Sequence, residues 1–158
     1  MSRKEGTDRG KMMFEGEKKA IETGVGMGKL NEDAKELLRR PIHGWATTVR
    51  SDGSLHNTVV WVDVDGDDVV FNTALGRVKD RNLRADPRVS VSVLDPENAF
   101  HLVSVSGTAK LEEEGADEVI DRLAKKYLGV DTYPYRQPGE ERVTVRVTPE
   151  QVVYSPGR

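Results

Sequence analysis

Apolar and polar residues alternate with a period of two through most of the chain after residue 44. Such alternation is typical of strands that present one face to a core and the other face to solvent. Valine is frequent in these segments, as in many strands. The pattern predicts about six to seven strands, at residues 45–50, 57–64, 69–74, 89–93, 99–111, 143–147 and 151–154.

Turn residues between these segments indicate how the strands are connected. Asp52-Gly53 and Asp65-Gly66 stand between the first three strands. Asp-Gly between alternating segments is the strongest short-range signal of a β-hairpin. Gly107 lies inside the long fifth segment, where a glycine predicts a bend or bulge. Two successive hairpins and the absence of a strand–helix–strand repeat predict an antiparallel barrel or sandwich.

A period of three to four residues replaces the alternation in three segments. Asn31 precedes two acidic residues and an apolar stripe, which is typical of a helix start, and Pro41 ends that segment. Residues 76–86 stop at the Asp86-Pro87 pair. Glu112–Leu128 is the longest helical segment, and Gly129 is placed to close it.

Residues 1–29 differ in composition from the rest of the 158-residue chain. They contain six glycines among lysines and glutamates, and no apolar period persists in them. This composition favours a flexible N-terminal arm. We therefore expect one folded domain over residues 30–158, a size usual for single domains.

Several function classes are excluded by composition. The chain has no cysteine, which removes disulfides, thiolate nucleophiles and cysteine-based zinc sites. The three histidines fall in different elements without the spacing of metal ligands, so no metal site is predicted. No apolar stretch approaches ~18 residues, and no apolar leader is present. We therefore expect no membrane association and a cytoplasmic protein.

The charge is unevenly distributed. The whole chain has a net charge of −3, yet residues 77–88 contain five basic and two acidic side chains. Arg77 and Lys79 stand where the helix over 76–86 begins, an end that disfavours cations but binds anions. The pattern indicates an anion site; the alternative is a solvated basic face. A net acidic chain is not expected to bind nucleic acid.

The segment Thr73–Arg88 reads TALGRVKDRNLRADPR and precedes an alternating strand. It resembles the signature of the pyridoxamine 5′-phosphate oxidase-like flavin and deazaflavin superfamily, and more narrowly its branch that binds the deazaflavin coenzyme F420. The resemblance spans about residues 30–156 and leaves the arm without a counterpart. Further matching segments are Asp52-Gly53, Val59-Val60-Trp61, Gly107-Thr108-Ala109 and Val152-Val153-Tyr154.

The resemblance implies a mainly β fold with flanking helices, an antiparallel split β-barrel of the FMN-binding type. It also implies a homodimer with cofactor sites at the interface. In this family pattern the basic residues bind the cofactor phosphate, strand residues line the ring system, and Tyr135-Arg136 in the loop over residues 130–141 reaches the ring edge or the substrate. The cofactor-binding residues implied in this way are Val59, Val60, Trp61, Thr73, Arg77, Lys79, Asn82 and Arg136.

The implied activity is an F420-dependent oxidoreductase that transfers hydride between the deazaflavin and a small organic substrate. Two alternatives remain open: an FMN-dependent oxidase or reductase of the same fold, and a non-enzymatic flavin- or haem-type binding protein. A phosphate-binding pocket is compatible with both F420 and FMN. Hydride transfer depends on the cofactor, so no nucleophile is required and the sequence singles out no catalytic residue.

Overall fold

The computed structural model describes residues 28–158. Nearly all of the predicted N-terminal arm therefore lies outside the described residues. The described part contains seven strands and three helices, close to the number predicted. In chain order these are α1 (Glu32–Arg39), β1 (Gly44–Val49), β2 (Leu55–Val60), β3 (Val62–Asp65), β4 (Asp68–Ala74), α2 (Val78–Ala85), β5 (Arg88–Leu94), β6 (His101–Glu112), α3 (Ala116–Leu128) and β7 (Arg142–Pro156).

The strands form one antiparallel sheet in the order β2-β1-β5-β6-β7-β4-β3. Its two edge strands, β2 and β3, are consecutive in the chain and are separated by Trp61 alone. A sheet whose opposite edges are one residue apart must curl back on itself. The predicted split barrel with flanking helices is confirmed.

The core fills the concave side of this sheet. Alternate residues of β5 and β6 point inward, among them Val91 and Val105, and Phe71 of β4 is fully buried beside them. Helix α1 adds Leu37 and Leu38 to the same cluster. The Asn31 side chain caps α1, its Oδ1 accepting from the Ala34 N–H at 2.7 Å, as its position in the sequence predicts.

The single strand predicted over residues 57–64 is wrong: the chain breaks at Trp61 into β2 and β3. The end of α3 supplies the reason. The Val62 N–H donates to the Tyr127 hydroxyl at 3.1 Å, and Lys126 Nζ donates to the Val62 carbonyl at 2.6 Å. These side chains satisfy backbone groups that a continuous strand would have paired with a neighbour.

The two strands predicted at 143–147 and 151–154 are one, β7, which pairs with β6 along its whole length. Glu150 is the extra residue of a bulge in β7, since Pro149 faces Gly107 and Gln151 faces Ser106. A Cβ on Gly107 would lie 1.9 Å from the Thr148 carbonyl oxygen, so only glycine fits. The bend predicted at Gly107 is confirmed.

Helix α3 begins at Ala116, four residues later than predicted, because β6 continues to Glu112 and pairs there with Thr144. Its end at Gly129 agrees with the prediction, and that glycine adopts a left-handed φ of 73°. Within residues 28–158 no helix is both long and apolar enough to cross a membrane.

Candidate functional site

A cavity of about 210 Å³ opens at the seam where the two sheet edges meet. The break between β2 and β3, the end of β4, the start of α2, helix α3 and the loop over residues 129–141 all contribute to it. Both apolar and basic side chains line its wall. The lining residues are His43, Val59, Val60, Trp61, Asn72, Thr73, Arg77, Lys79, Ile120, Leu123, Tyr133, Tyr135 and Arg142.

Six of the eight residues implied by the sequence resemblance line this one cavity, and Asn82 and Arg136 do not. Asn82 lies on the buried face of α2, where its Nδ2 donates to Thr48 Oγ1 at 3.0 Å. Arg136 pairs with Asp117 and Asp121 of α3. These contacts tie α2 to β1 and the 129–141 loop to α3, so both residues hold neighbouring elements of the cavity in position.

The basic wall is built by the turn that leads into α2. Gly76 has a left-handed φ of 83°, and its N–H donates to Asp80 Oδ2 at 2.8 Å. Arg77 is the N-cap residue of α2 and makes no side-chain cap hydrogen bond. The first turn of α2 therefore lacks the internal cap that Asn31 gives α1, and an uncapped helix start favours an anion.

Most of the basic segment is neutralised by local ion pairs. Arg77 contacts Glu140 at 2.6 Å, Arg84 contacts Asp80 at 2.9 Å, and Arg88 has a similar carboxylate partner. Among the described residues, Lys79 and Arg81 have no carboxylate within ion-pair distance. Asp80 and Asp86 belong to the basic segment itself, so folding adds only Glu140 as the partner of Arg77 and Glu113 as a second partner of Arg84.

Lys79 is the half-buried cation of the cavity. Its Nζ donates to Thr58 Oγ1 at 2.9 Å, a neutral partner. Burial, together with the positive charges of Arg77 and Arg142, lowers the pKa of Lys79. An ammonium in this position is stabilised by any anion that enters the cavity, because the anion would offset both causes.

Arg142 is a cavity residue that the sequence did not reveal. Its Nε donates to Asn72 Oδ1 at 2.8 Å and its Nη1 donates to Glu140 Oε1 at 2.9 Å. The guanidinium also lies 5.1 Å from the centre of the Tyr133 ring. Burial lowers the pKa of Arg142, and Glu140 opposes that effect. A cation held this rigidly presents a fixed positive wall.

Thr73 provides the sharpest sign that a polar ligand belongs here. The residue is buried, and its hydroxyl has no hydrogen-bond partner among the described residues. Buried hydroxyls are normally bonded, so an orphan one in a cavity wall calls for an external partner. A phosphate or ring oxygen would accept from Thr73 Oγ1, so the residues present fit a phosphate-bearing cofactor.

An aromatic cluster forms the other side of the cavity. Trp61 stacks on Tyr127 with ring centres 5.4 Å apart. The Tyr133 ring is perpendicular to the Trp61 ring, and their centres are 6.0 Å apart. Tyr127 also contacts the His43 ring at 5.3 Å. Burial raises the pKa of Tyr127 to about 12, so this hydroxyl is protonated at neutral pH. The cluster offers a flat apolar surface beside the basic wall.

Comparison with known proteins assigns the fold to a family. A family model described as pyridoxamine 5′-phosphate oxidase matches residues 30–155. The chain belongs to the pyridoxamine 5′-phosphate oxidase family. The family match covers all seven strands, at least in part, together with every residue that lines the cavity. No curated protein matches the chain.

Several solved structures share this fold. An F420 reductase is 29% identical with a TM-score of 0.67, and the match covers 78% of this chain and 98% of the other. A conserved hypothetical protein from Mycobacterium tuberculosis is 26% identical with a TM-score of 0.61, over 80% of this chain and 86% of the other. General Stress Protein 26 from Bacillus anthracis shares the fold alone, at 17% identity and a TM-score of 0.59, over 80% of this chain and 94% of that one.

Proposed function

We propose that this protein is a cytoplasmic F420-dependent reductase, which transfers hydride from reduced F420 to a small organic substrate. The observation that carries the proposal is the cavity wall formed by Lys79, Arg77 and the orphan hydroxyl of Thr73. It offers a phosphate two cations, one neutral donor and an uncapped helix start.

The remaining lining residues would bind and orient the ring system. Val59, Val60 and Trp61 lie at the seam between β2 and β3, where the chain leaves regular sheet pairing. Ile120 and Leu123 of α3 add apolar surface. Bound reduced F420 supplies the hydride; the protein's part is to hold the ring, exclude water and anchor the phosphate.

A second basic surface favours F420 over FMN. Arg50 and Arg81 line a groove of about 380 Å³, which Asn82 also lines and which shares no lining residue with the cavity. Arg50 donates to Ser54 Oγ and the Leu55 carbonyl, and neither arginine has a carboxylate partner among residues 28–158. F420 carries an acidic tail beyond its phosphate, whereas FMN ends at the phosphate. Arg81 follows Lys79 by two residues on α2, and two arginines without a carboxylate partner among residues 28–158 suit the longer, more anionic cofactor.

The alternative is an FMN-dependent oxidase or reductase, which is compatible with membership of the pyridoxamine 5′-phosphate oxidase family. FMN would use the same phosphate wall and ring surface. In that case Arg50 and Arg81 would have no part in cofactor binding, so the two cofactors make different demands on this chain.

A homodimer is part of the proposal. Val59 belongs both to the cavity and to an outward row of paired strand residues, Val59–Trp45–Ser92–Ser104–Val153. Trp45 is 51% exposed and Val59 is 47% exposed at one end of this row. The cavity itself is smaller than the ~300–1,000 Å³ usual for ligand sites. A second copy packed on the row would enlarge and complete the site.

The deciding experiment is a fluorescence titration of the pure protein with F420 and, separately, with FMN. We expect micromolar binding of F420 and binding of FMN that is weaker by about tenfold or more. Tighter binding of FMN, or a yellow protein after purification, would reverse the assignment. Binding of F420 without turnover of any reducible substrate would leave a non-enzymatic binding protein.

A matched pair of variants sharpens this test. Arg81→Gln removes a groove arginine, and Arg122→Gln removes an exposed arginine of α3 that lines neither the cavity nor the groove. We expect R81Q to weaken binding of F420 and to leave binding of FMN unchanged, and R122Q to leave both unchanged. Equal effects of R81Q on the two cofactors would contradict a role in holding the acidic tail.

A further inference from the structure

The basic wall of the cavity already contains a carboxylate of its own. Glu140 Oε1 accepts from Arg77 Nη2 at 2.6 Å and from Arg142 Nη1 at 2.9 Å. Its Oε2 accepts from the Gln137 N–H at 3.4 Å. The Glu140 side chain is only 6% exposed, so this carboxylate is enclosed between the two guanidinium groups.

The two arginines are held very differently. The Arg142 side chain is 3% exposed and has a second fixed partner in Asn72, so it cannot leave Glu140 easily. The Arg77 side chain is 53% exposed, and its contact with Glu140 is the one ion pair it makes within the described residues. Arg77 is therefore the partner that can exchange Glu140 for another anion.

We propose that Glu140 is an internal competitor for Arg77, which weakens anion binding in the cavity and makes the site more selective. This inference rests on the proposed function, because it concerns the same phosphate wall. A ligand phosphate gains Arg77 only by taking it from Glu140, and it must also tolerate the negative charge that stays with Arg142. Only a ligand with further favourable contacts, on the aromatic cluster or the Arg50–Arg81 groove, overcomes this competition.

If Glu140 positioned Arg77 for the ligand instead of competing for it, removal of Glu140 would change anion affinity in the opposite direction. If Glu140 served to position Arg77 for the ligand, its removal would let Arg77 swing into solvent and would weaken anion binding. If Glu140 competes, its removal leaves Arg77, Lys79 and Arg142 without a contacting carboxylate and tightens anion binding. The gain under competition also grows with the charge of the ligand, since the interaction is electrostatic.

The test uses Glu140→Gln with Glu141→Gln as its control. The neighbouring Glu141 is exposed, and the structure gives it one contact, from its backbone carbonyl to the Leu75 N–H. The control therefore removes the same charge from the chain without touching an arginine. Each protein is titrated with F420, with FMN, and with riboflavin, which has the ring system of FMN but no phosphate.

We expect E140Q to bind F420 and FMN about tenfold more tightly at low salt, and E141Q to match the unchanged protein. Riboflavin binding should be the same in all three proteins. Glu140→Asp, which keeps the charge, should stay close to the unchanged protein. Unaltered or weaker binding of the phosphate-bearing ligands by E140Q would overturn the proposal, as would an equal gain for riboflavin.

Two measurements keep this outcome separate from the proposed function. If the unchanged protein binds neither F420 nor FMN, the proposed function fails, and titration with inorganic pyrophosphate still compares the three proteins. If E140Q does not fold, a crystal structure of the unchanged protein with its bound phosphate-bearing cofactor decides the matter. Separation of Arg77 from Glu140 in that complex supports competition, and retention of the contact contradicts it.

Discussion

At the scale of single residues, Lys79 and Thr73 determine what the cavity can bind. Lys79 has a neutral partner and a pKa lowered by burial and by two nearby cations, and the Thr73 hydroxyl has no hydrogen-bond partner within residues 28–158. Both conditions cost free energy in the empty site and are relieved by an anion with free acceptor oxygens. The family resemblance implied both residues, Lys79 at the phosphate and Thr73 at the ring system, but without the reasons that the structure provides.

Lys79→Met should therefore weaken cofactor binding by about 1–3 kcal/mol, the value of a charge-assisted hydrogen bond, while it preserves the length of the side chain. Isothermal titration calorimetry with the cofactor identified above measures the change directly. Lys125→Met is the matched control, because Lys125 lies exposed on α3 outside the cavity. Unchanged affinity in K79M would remove the phosphate assignment.

At the scale of elements, the end of α3 determines where the sheet opens. The Tyr127 hydroxyl donates to the Ile42 carbonyl at 2.6 Å and accepts from the Val62 N–H at 3.1 Å. Lys126 donates to the carbonyls of Leu38 and Val62. One helical turn thus connects the end of α1 and the segment after it to the start of β3, and its Tyr127 ring stacks on Trp61.

Tyr127→Phe should lower the free energy of unfolding by about 1–3 kcal/mol, because it leaves a backbone donor and a backbone acceptor unpaired in a largely buried position. Urea denaturation followed by far-UV circular dichroism gives this value. Tyr135→Phe is the control, since the Tyr135 side chain is exposed and its hydroxyl makes no hydrogen bond within residues 28–158. Similar losses in both variants would contradict the role assigned to the Tyr127 hydroxyl.

At the scale of the whole molecule, the outward face of the sheet is more apolar than an isolated domain requires. The row from Val59 through Trp45 to Val153 crosses five strands, with two small serines at its centre. Leu55 lies on the same face, four residues from Val59 along β2, and is strongly exposed. A surface with apolar ends and small residues between them is suited to contact with a second copy.

Trp45→Glu should convert the proposed dimer to a monomer, because it places a charge beside Val59 at the apolar end of the row, where the contact would bury it. Analytical ultracentrifugation measures the mass in solution. Leu128→Glu is the control, as Leu128 is similarly exposed but lies at the end of α3. A monomeric unchanged protein, or a dimer that survives W45E, would contradict this use of the face.

Much of the architecture could be predicted from the sequence, because period-two alternation and Asp-Gly turns are local signals. The failures have a common cause. The break at Trp61 depends on Tyr127 and Lys126, more than sixty residues away. The continuity of β7 through Pro149 depends on the bulge opposite Gly107. In each place a partner distant in the sequence decided whether regular strand pairing stops or continues, and no local pattern contains that information.

The sequence by itself determined the strands, the turns, the helix start that carries Arg77 and Lys79, and the likeness to a family. Only the tertiary structure decided which charges remain available. It paired Arg77 with Glu140 and Arg84 with Glu113, left Lys79 with a neutral partner, and brought Arg142 to the same wall from a late strand. The physical reason is that net charge is additive along a chain, whereas an ion pair depends on distances that only folding sets.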